Sequence, residues 1–202
     1  RVLLASLVAP YADGFAFVQE RRRAGGWAAV DAAYARLPQT TEQLMHHDKY
    51  AANEPALKLP RIDVAGLGPG YRARLEDDMG EESLRIMLEA WSTPDAAAAA
   101  AAGWGGDREV LAESKAGGAT TLAVAYHVRF DAPKLADGMA ALLKQKFPPC
   151  RERKGLGPFG WQRRGADVVI VGGPYARDGK SVRAAGDCAV ANRWMKAILD
   201  AR

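Results

Sequence analysis

The sequence predicts an α+β protein. An N-terminal helical half, built from a helical hairpin and further helices, packs with a C-terminal, mostly antiparallel sheet covered by two helices. Three observations predict this. In the first half, apolar side chains recur at helical spacing. From Thr120 onward the period becomes two, as a strand requires. After Arg108 the elements run β-β-α-β-β-α, an order that closes as an antiparallel sheet with its helices on one face. Residues 1–108 form the helical region and 109–202 the sheet region, read as one continuous globular unit.

Residues 1–24 read as a helix with a possible break at Pro10, since Val2, Leu3, Leu7, Tyr11, Phe15 and Val18 recur at near-helical intervals. Arg21-Arg22-Arg23 suit its negative end, and Gly25-Gly26 stop it. Trp27 to Tyr34 form a second, shorter helix that ends before Pro38, completing an αα-hairpin. A short third helix starts at Thr41-Glu42-Gln43-Leu44, with Thr40 or Thr41 as N-cap. Lys58 to Val64 is a candidate strand, weakened by Pro55 and Pro60, and Gly66 to Gly70 is a loop. Gly80 to Trp91 is helical, with Leu84, Met87, Leu88 and Trp91 on one face and Asp78, Glu81 and Glu82 at its positive end. Pro94-Asp95 opens an alanine helix that Gly103 ends.

Arg108 to Ser114 reads as a strand, Ala116-Gly117-Gly118 as a turn, and Thr120 to Phe130 as a strand with Leu122, Val124, Tyr126, Val128 and Phe130 on one face. Asp131 to Phe147 is an amphipathic helix with Leu135, Met139, Leu142 and Leu143 inward. Phe159–Arg163 and Ala166–Val171 are strands, the latter followed by a turn at Gly172-Gly173-Pro174. Residues 187–200 form the closing helix, with Val190, Trp194, Ala197 and Ile198 inward.

Hydrophobic content of 49% and charged content of 26% are those of a folded domain. The apolar stretch Val2–Ala9 reads as the entry to a core helix rather than a leader. It is too short to span a membrane, which takes roughly 20 apolar residues. The net charge of +4 is uneven: Lys144, Lys146, Arg151, Arg153, Lys154, Arg163 and Arg164 face only Glu152, a local excess larger than that of the whole chain. This basic patch, Lys144–Arg164, suits an acidic surface. Its few aromatics, Phe159 and Trp161, argue against a nucleic-acid platform, and no nucleic acid is expected. Cys150 and Cys188 are either free thiols in a reducing compartment or a bridge in an exported protein.

No complete catalytic motif is present. Gly-x-Ser-x-Gly, phosphate-loop and Gly-x-Gly-x-x-Gly signatures are absent, as is H-E-x-x-H. His46 and His47 are adjacent, so a regular helix cannot aim both at one metal. His127 sits on a strand face opposite Tyr126 and reads as a surface or hydrogen-bonded residue. Glu42 lies four residues before His46, and a carboxylate contact to Nδ1 would orient the ring and raise its pKa. Trp104-Gly105-Gly106-Asp107-Arg108 reads as a structural corner between helix and strand, with Asp107 and Arg108 buried and hydrogen-bonded.

Several segments occur in a telling order: Pro10-Tyr11-x-x-Gly14-x-x-Phe17-Val18; Gly25-Gly26-Trp27-x-x-Val30-Asp31-x-x-Tyr34; Pro38-x-Thr40-Thr41-Glu42-Gln43-x-x-His46-x-x-Lys49-Tyr50; Gly80-Glu81-x-x-Leu84-Arg85; and Ala101-Ala102-Gly103-Trp104-Gly105-Gly106-Asp107-Arg108. Together they resemble the C-terminal half of a group of secreted or envelope-associated, zinc-metallopeptidase-like proteins of bacteria and haloarchaea. The resemblance covers residues 10–108 and thins to a pattern of strands and helices beyond them.

In that family an H-E-x-x-H helix lies upstream of the Pro-Tyr-x-x-Gly segment. Its usual histidine is followed by proline. His46 is the matching histidine here, and His47 stands in the proline position. The resemblance implies a non-catalytic portion of a metallopeptidase-like, exported envelope protein, acting as a scaffold or binding module. The alternative is a fragment of an active zinc metallopeptidase whose H-E-x-x-H segment lies upstream of Arg1. This chain alone is expected to be inactive and to hold no cofactor, with zinc only if an upstream segment supplies ligands. Thr41, Glu42, His46, Lys49 and Tyr50 are the candidate cleft residues. A protein partner in the envelope, a Cys150–Cys188 bridge and no transmembrane segment complete the expectation.

Overall fold

The computed structural model describes residues 2–115, 118–148, 150–153, 157–179 and 181–201, without the side chains of 151–153 and 178. The chain divides into a helical unit, Arg1–Leu57 with Gly80–Ala102, and a sheet unit, Lys58–Met79 with Gly103–Arg202. The sequence reading assigns Lys58–Met79 to the helical region. Antiparallel pairing of β1 (Arg72–Asp77) with β2 (Trp104–Ser114) places it in the sheet unit instead.

In the helical unit, α1 runs from Val2 to Ala35 and passes through Pro10 without a break. Pro10 is exposed, so the carbonyl it leaves without a helical partner can meet solvent. The interruption falls at Gly25 and Gly26, the latter at φ +67°, which glycine adopts at little cost. There the chain folds back. Phe17 and Ala33 share a buried cluster with Tyr50. A straight helix would hold the first two roughly 24 Å apart. Two short helices follow, α2 (Thr41–Met45) and α3 (His47–Ala52), then α4 (Gly80–Glu89) and α5 (Pro94–Ala101). In α4 the buried apolar residues are Leu84, Ile86 and Leu88, while Met87 and Trp91 of the expected stripe are only half-buried. The alanine run packs as expected of small side chains at a close helix contact: Ala97, Ala100 and Ala101 are buried where α5 meets α4.

Among the described residues the sheet unit holds β1, β2, β3 (Thr120–Phe130), β4 (Cys150–Arg153), β5 (Gly157–Arg164), β6 (Asp167–Asp178) and β7 (Ser181–Ala184). They form a seven-stranded sheet in the order β1-β2-β3-β6-β5-β4, with β7 on β6. Every pairing is antiparallel. Of the expected turn at Ala116-Gly117-Gly118, Ala116 and Gly117 lie outside the described residues. Lys58–Val64 is not a strand. Pro60 lacks the donor a ladder needs. The segment instead crosses α7 (Cys188–Asp200), where the Asp63 carbonyl accepts from Trp194 Nε1 at 2.8 Å. Gly172-Gly173-Pro174 does not end β6. The strand continues through them with a bulge. Gly173 stands at φ +93°, where a Cβ would fall 2.8 Å from the Leu122 carbonyl oxygen.

The two sheet helices lie on opposite faces, not on one. Ala191, Trp194, Met195 and Ile198 of α7 pack on Val110, Ala112, Ala123, Ala125, Val169 and Val171. Side chains of the other parity meet α6 (Ala136–Lys146) and its ends: Trp161 donates to the Phe147 carbonyl, and Arg163 pairs with Asp137. The run Val168-Val169-Ile170-Val171 is buried on both parities, as a strand covered on two faces must be.

Candidate functional site

The site is built at the junction of α2, α3 and α4. Thr40 caps α2, its Oγ1 accepting from Gln43 N at 3.0 Å. Thr41, one residue on, reaches α4: its Oγ1 accepts from the Glu82 backbone N–H at 3.3 Å. That contact requires glycine at position 80, where φ is +77° and a Cβ would overlap Thr41 Oγ1. The two threonines that the sequence offers as rival caps of one helix therefore serve two.

His46 interrupts the helices between α2 and α3 with extended backbone, φ −120° and ψ 111°. Its backbone N–H still donates to the Glu42 carbonyl at 2.8 Å, but the ring finds another partner. Instead of Glu42, Glu81 of α4 takes the ring: His46 Nε2 donates to Glu81 Oε1 at 2.8 Å. Glu81 is 1% exposed. The hydrogen bond to Glu81 raises the His46 pKa above its ordinary value. Burial opposes this, and the charges of Glu81, Glu42 and Asp48 add to the rise. Glu42, itself buried, faces Lys49 Nζ at 3.4 Å, and Lys49 also pairs with Glu54. Tyr50 is a core residue. Its hydroxyl donates to the Arg36 carbonyl at 2.7 Å, and its ring meets Phe17 edge-on at 4.9 Å. His47 points elsewhere, against Arg21 and, at 3.7 Å, Glu20.

Sequence reasoning takes Glu81 and Glu82 as helix-end charges. Both are buried, and they bring in Arg85 and Asp13. Arg85 pairs with Asp13 of α1 at 2.8 Å. Burial, followed by a hydrogen bond and repulsion from Asp13, pushes Glu82 up to about 7, with Arg85 opposing. Gln43 is a further hidden anchor, accepting from Gln39 N and donating to the Glu54 carbonyl at 2.7 Å. Only the density of acids before Leu84 hints at this; nothing in the sequence gives their burial.

In the sheet unit, the Trp104–Arg108 corner centres on Asp107. Its carboxylate accepts from Trp104 Nε1 at 3.0 Å, the Tyr126 hydroxyl at 2.9 Å and Met79 N at 2.8 Å. Arg108 pairs outward with Asp78 at 3.2 Å. Burial, then the Asp107 charge, pushes the Tyr126 phenol well above its usual range. His127 is buried, and its Nε2 meets Asp167 Oδ1 at 2.7 Å, an oxygen shared with Arg129 Nε. Burial disfavours the Asp167 carboxylate, but its bonds to His127 and Arg129 outweigh that and hold its pKa low. Cys150 on β4 is disulfide-bonded to Cys188 at the start of α7. Among the described residues the basic run does not form one face. Arg163 pairs with Asp137 beside α6, and Arg164 with Asp200 on α7. Lys154 and the side chains of Arg151 and Arg153 lie outside the described residues.

Residues 70–183 match a family described as a domain of unknown function, DUF8575. The chain belongs to this family. The DUF8575 match runs from the approach to β1 into β7 and includes α4 with Glu81 and Glu82. It leaves Thr41, Glu42, His46, Lys49 and Tyr50 outside. The chain matches no curated protein and no solved structure.

His46 Nε2 is bonded to Glu81, and the His47 ring faces the Arg21 cation. Within the helical unit taken alone, no three His, Cys, Asp or Glu ligand atoms of described residues lie within 4.8 Å of one another. By length and composition α1 is apolar enough to cross a membrane, with a window of mean hydropathy 1.4, and it resembles a signal sequence. The closed disulfide fits an exported protein.

Proposed function

We propose that this chain is the non-catalytic portion of a metallopeptidase-like protein exported to the cell envelope, where it works as a scaffold or binding module. One observation carries the reading. Each candidate cleft residue is tied to a partner within the helical unit: Thr41 to α4, Glu42 to Lys49, His46 to Glu81 and Tyr50 to Arg36. Such a segment braces helices; it does not present a nucleophile, a base and an oxyanion donor around one point. The disulfide and the apolar helix support export.

The test has three arms. His46→Ala leaves a buried carboxylate without its partner and should destabilise the helical unit by about 1–3 kcal/mol. No loss of stability would refute the brace. Elemental analysis and a casein-cleavage assay on the purified chain should give neither stoichiometric zinc nor peptidase activity. Either one would move the reading to a fragment of an active zinc metallopeptidase. Thiol titration of the unfolded, unreduced protein should find no free cysteine, and two free thiols would count against export.

A further inference from the structure

The outer face of α1 is apolar and bare. Leu3, Leu7, Tyr11 and Phe15 recur every fourth residue, flanked by Leu4 and Val8, and all six are exposed. At about 100° per residue they fill a stripe roughly 140° wide and about 18 Å long. Soluble proteins seldom leave such a stripe open without a binding role. Beside it lies a groove of about 190 Å³ lined by Gly14, Val18, Val30, Tyr34, Leu37 and Leu44, among others.

Three features indicate what covers this face. The stripe leads into Arg21-Arg22-Arg23, of which Arg22 and Arg23 are exposed. Arg22, seven residues or about two turns beyond Phe15, falls within the same stripe, and its guanidinium lies 5.0 Å from the Trp27 ring centre. Tyr11, Trp27 and Tyr34 are 81%, 63% and 75% exposed. These amphipathic rings suit the headgroup layer of a bilayer, and the arginines suit anionic phosphates.

The opposite face of α1 is already engaged. Asp13 is bonded to Arg85, Phe17 is packed on Tyr50, and Val2 and Ala5 line a cleft with Ile86 and Ala90. A transmembrane placement would strip those contacts away. A placement in the plane of the membrane keeps them all.

We propose that the outer face of α1 docks in the plane of a lipid bilayer that carries anionic phospholipid. Leu3, Leu7, Tyr11 and Phe15 enter the acyl boundary, and Arg22 and Arg23 sit at the phosphates. The inference does not rest on the metallopeptidase reading and goes beyond it.

The full chain, disulfide intact, is sedimented with vesicles of phosphatidylcholine mixed with phosphatidylglycerol, and with vesicles of phosphatidylcholine alone. Binding is expected to the mixed vesicles, falling several-fold without phosphatidylglycerol or at high salt. Leu7→Glu with Tyr11→Glu should lower it by more than about tenfold while far-UV circular dichroism is unchanged. Should that variant misfold, Arg22→Gln with Arg23→Gln decides, with an expected loss of about fivefold per arginine and a weaker salt dependence. Failure to sediment with the mixed vesicles, or equal binding by wild type and the folded variant, overturns the proposal. So does a dimer by light scattering that the Leu7→Glu, Tyr11→Glu variant dissolves while vesicles bind neither protein. That outcome would give the face to a second copy of the chain.

Discussion

Replacing Glu82 with glutamine should stabilise the helical unit, and only at neutral to alkaline pH. Glu82 is 5% exposed and shares a hydrogen bond with Asp13, so its folded pKa stands at about 7 against an ordinary 4.5. A carboxyl raised on folding holds its proton longer in the native state than in the unfolded chain. Its contribution to stability is therefore fully present below pH 4.5 and is lost as pH rises through about 7. At about 1.4 kcal/mol per pH unit the full shift would be worth at most roughly 3 kcal/mol. Relaxation and water entry around the ionised carboxylate reduce this to about 1–2 kcal/mol. Glutamine mimics the protonated acid and can still donate to Asp13. Glu82→Gln should thus match the wild type near pH 5 and exceed it by about 1–2 kcal/mol near pH 8. The assay is urea unfolding at both pH values, read by hydrogen exchange in peptides from α4, which report the helical unit alone. His46, raised by Glu81, adds a decline of the same sign that the variant leaves in place. Wild-type stability that is flat or rising between pH 5 and 8, or a variant weaker than wild type at pH 8, would refute the reasoning.

Three further outcomes follow from the same structure. Cys150→Ser with Cys188→Ser opens a loop closed across a sequence separation of 38. It should cost the sheet unit about 4 kcal/mol in the chain-entropy model, measured by urea unfolding followed at Trp194; a loss below about 1 kcal/mol would contradict it. Asp107→Ala strips an acceptor from Trp104 Nε1, the Tyr126 hydroxyl and Met79 N. That should cost about 3–5 kcal/mol, with the Tyr126 phenol returning toward its ordinary pKa in ultraviolet titration. Gly80→Ala meets both φ +77° and Thr41 Oγ1. It should cost about 2–4 kcal/mol by thermal unfolding, partly recovered when Thr41→Gly opens the space.

What can be read from sequence divides along a physical line. Helices α4, α5 and α7 and strands β2, β3 and β5 announce themselves through local period and caps, which nearest-neighbour spacing carries. The strands that sequence does not announce, β1, β4 and β7, are short, polar or edge elements held by their partners. Arg72–Asp77 is largely exposed, and its pairing with β2 is what makes it a strand. The turn expected at Gly172-Gly173-Pro174 fails for the opposite reason. Those residues break strands by propensity, and only the approach of β3 shows that they form a bulge within one. The one-face expectation misplaces α6 although the sign is present: four consecutive apolar residues from Val168 to Val171 already require cover on both sides.

The site is legible in its residues but not in its pairings. Position along the chain suggests Glu42 as the partner of His46, and one residue of extended backbone at His46 suffices to cancel that geometry. The partner that replaces it is 35 residues away, and its burial is what gives the pair consequence. A half-exposed histidine on a surface glutamate would be worth little. On a carboxylate that is 1% exposed, losing the histidine leaves an ion in the core. Glu42, Gln43, Glu81 and Glu82 are all nearly inaccessible. Apolar residues of similar volume would hold helices together as well or better, so stability alone does not account for four buried polar groups in one small unit. The same junction carries directional bonds between separate helices: α2 to α4 through Thr41, the α2–α3 link to α4 through His46 and Glu81, α1 to α4 through Asp13 and Arg85. Apolar contact permits helices to slide, whereas these bonds are satisfied in a single register. A brace that fixes register is what a binding face on α1 needs, because the helix that carries the bare stripe is held through Asp13 and Phe17 to the same junction.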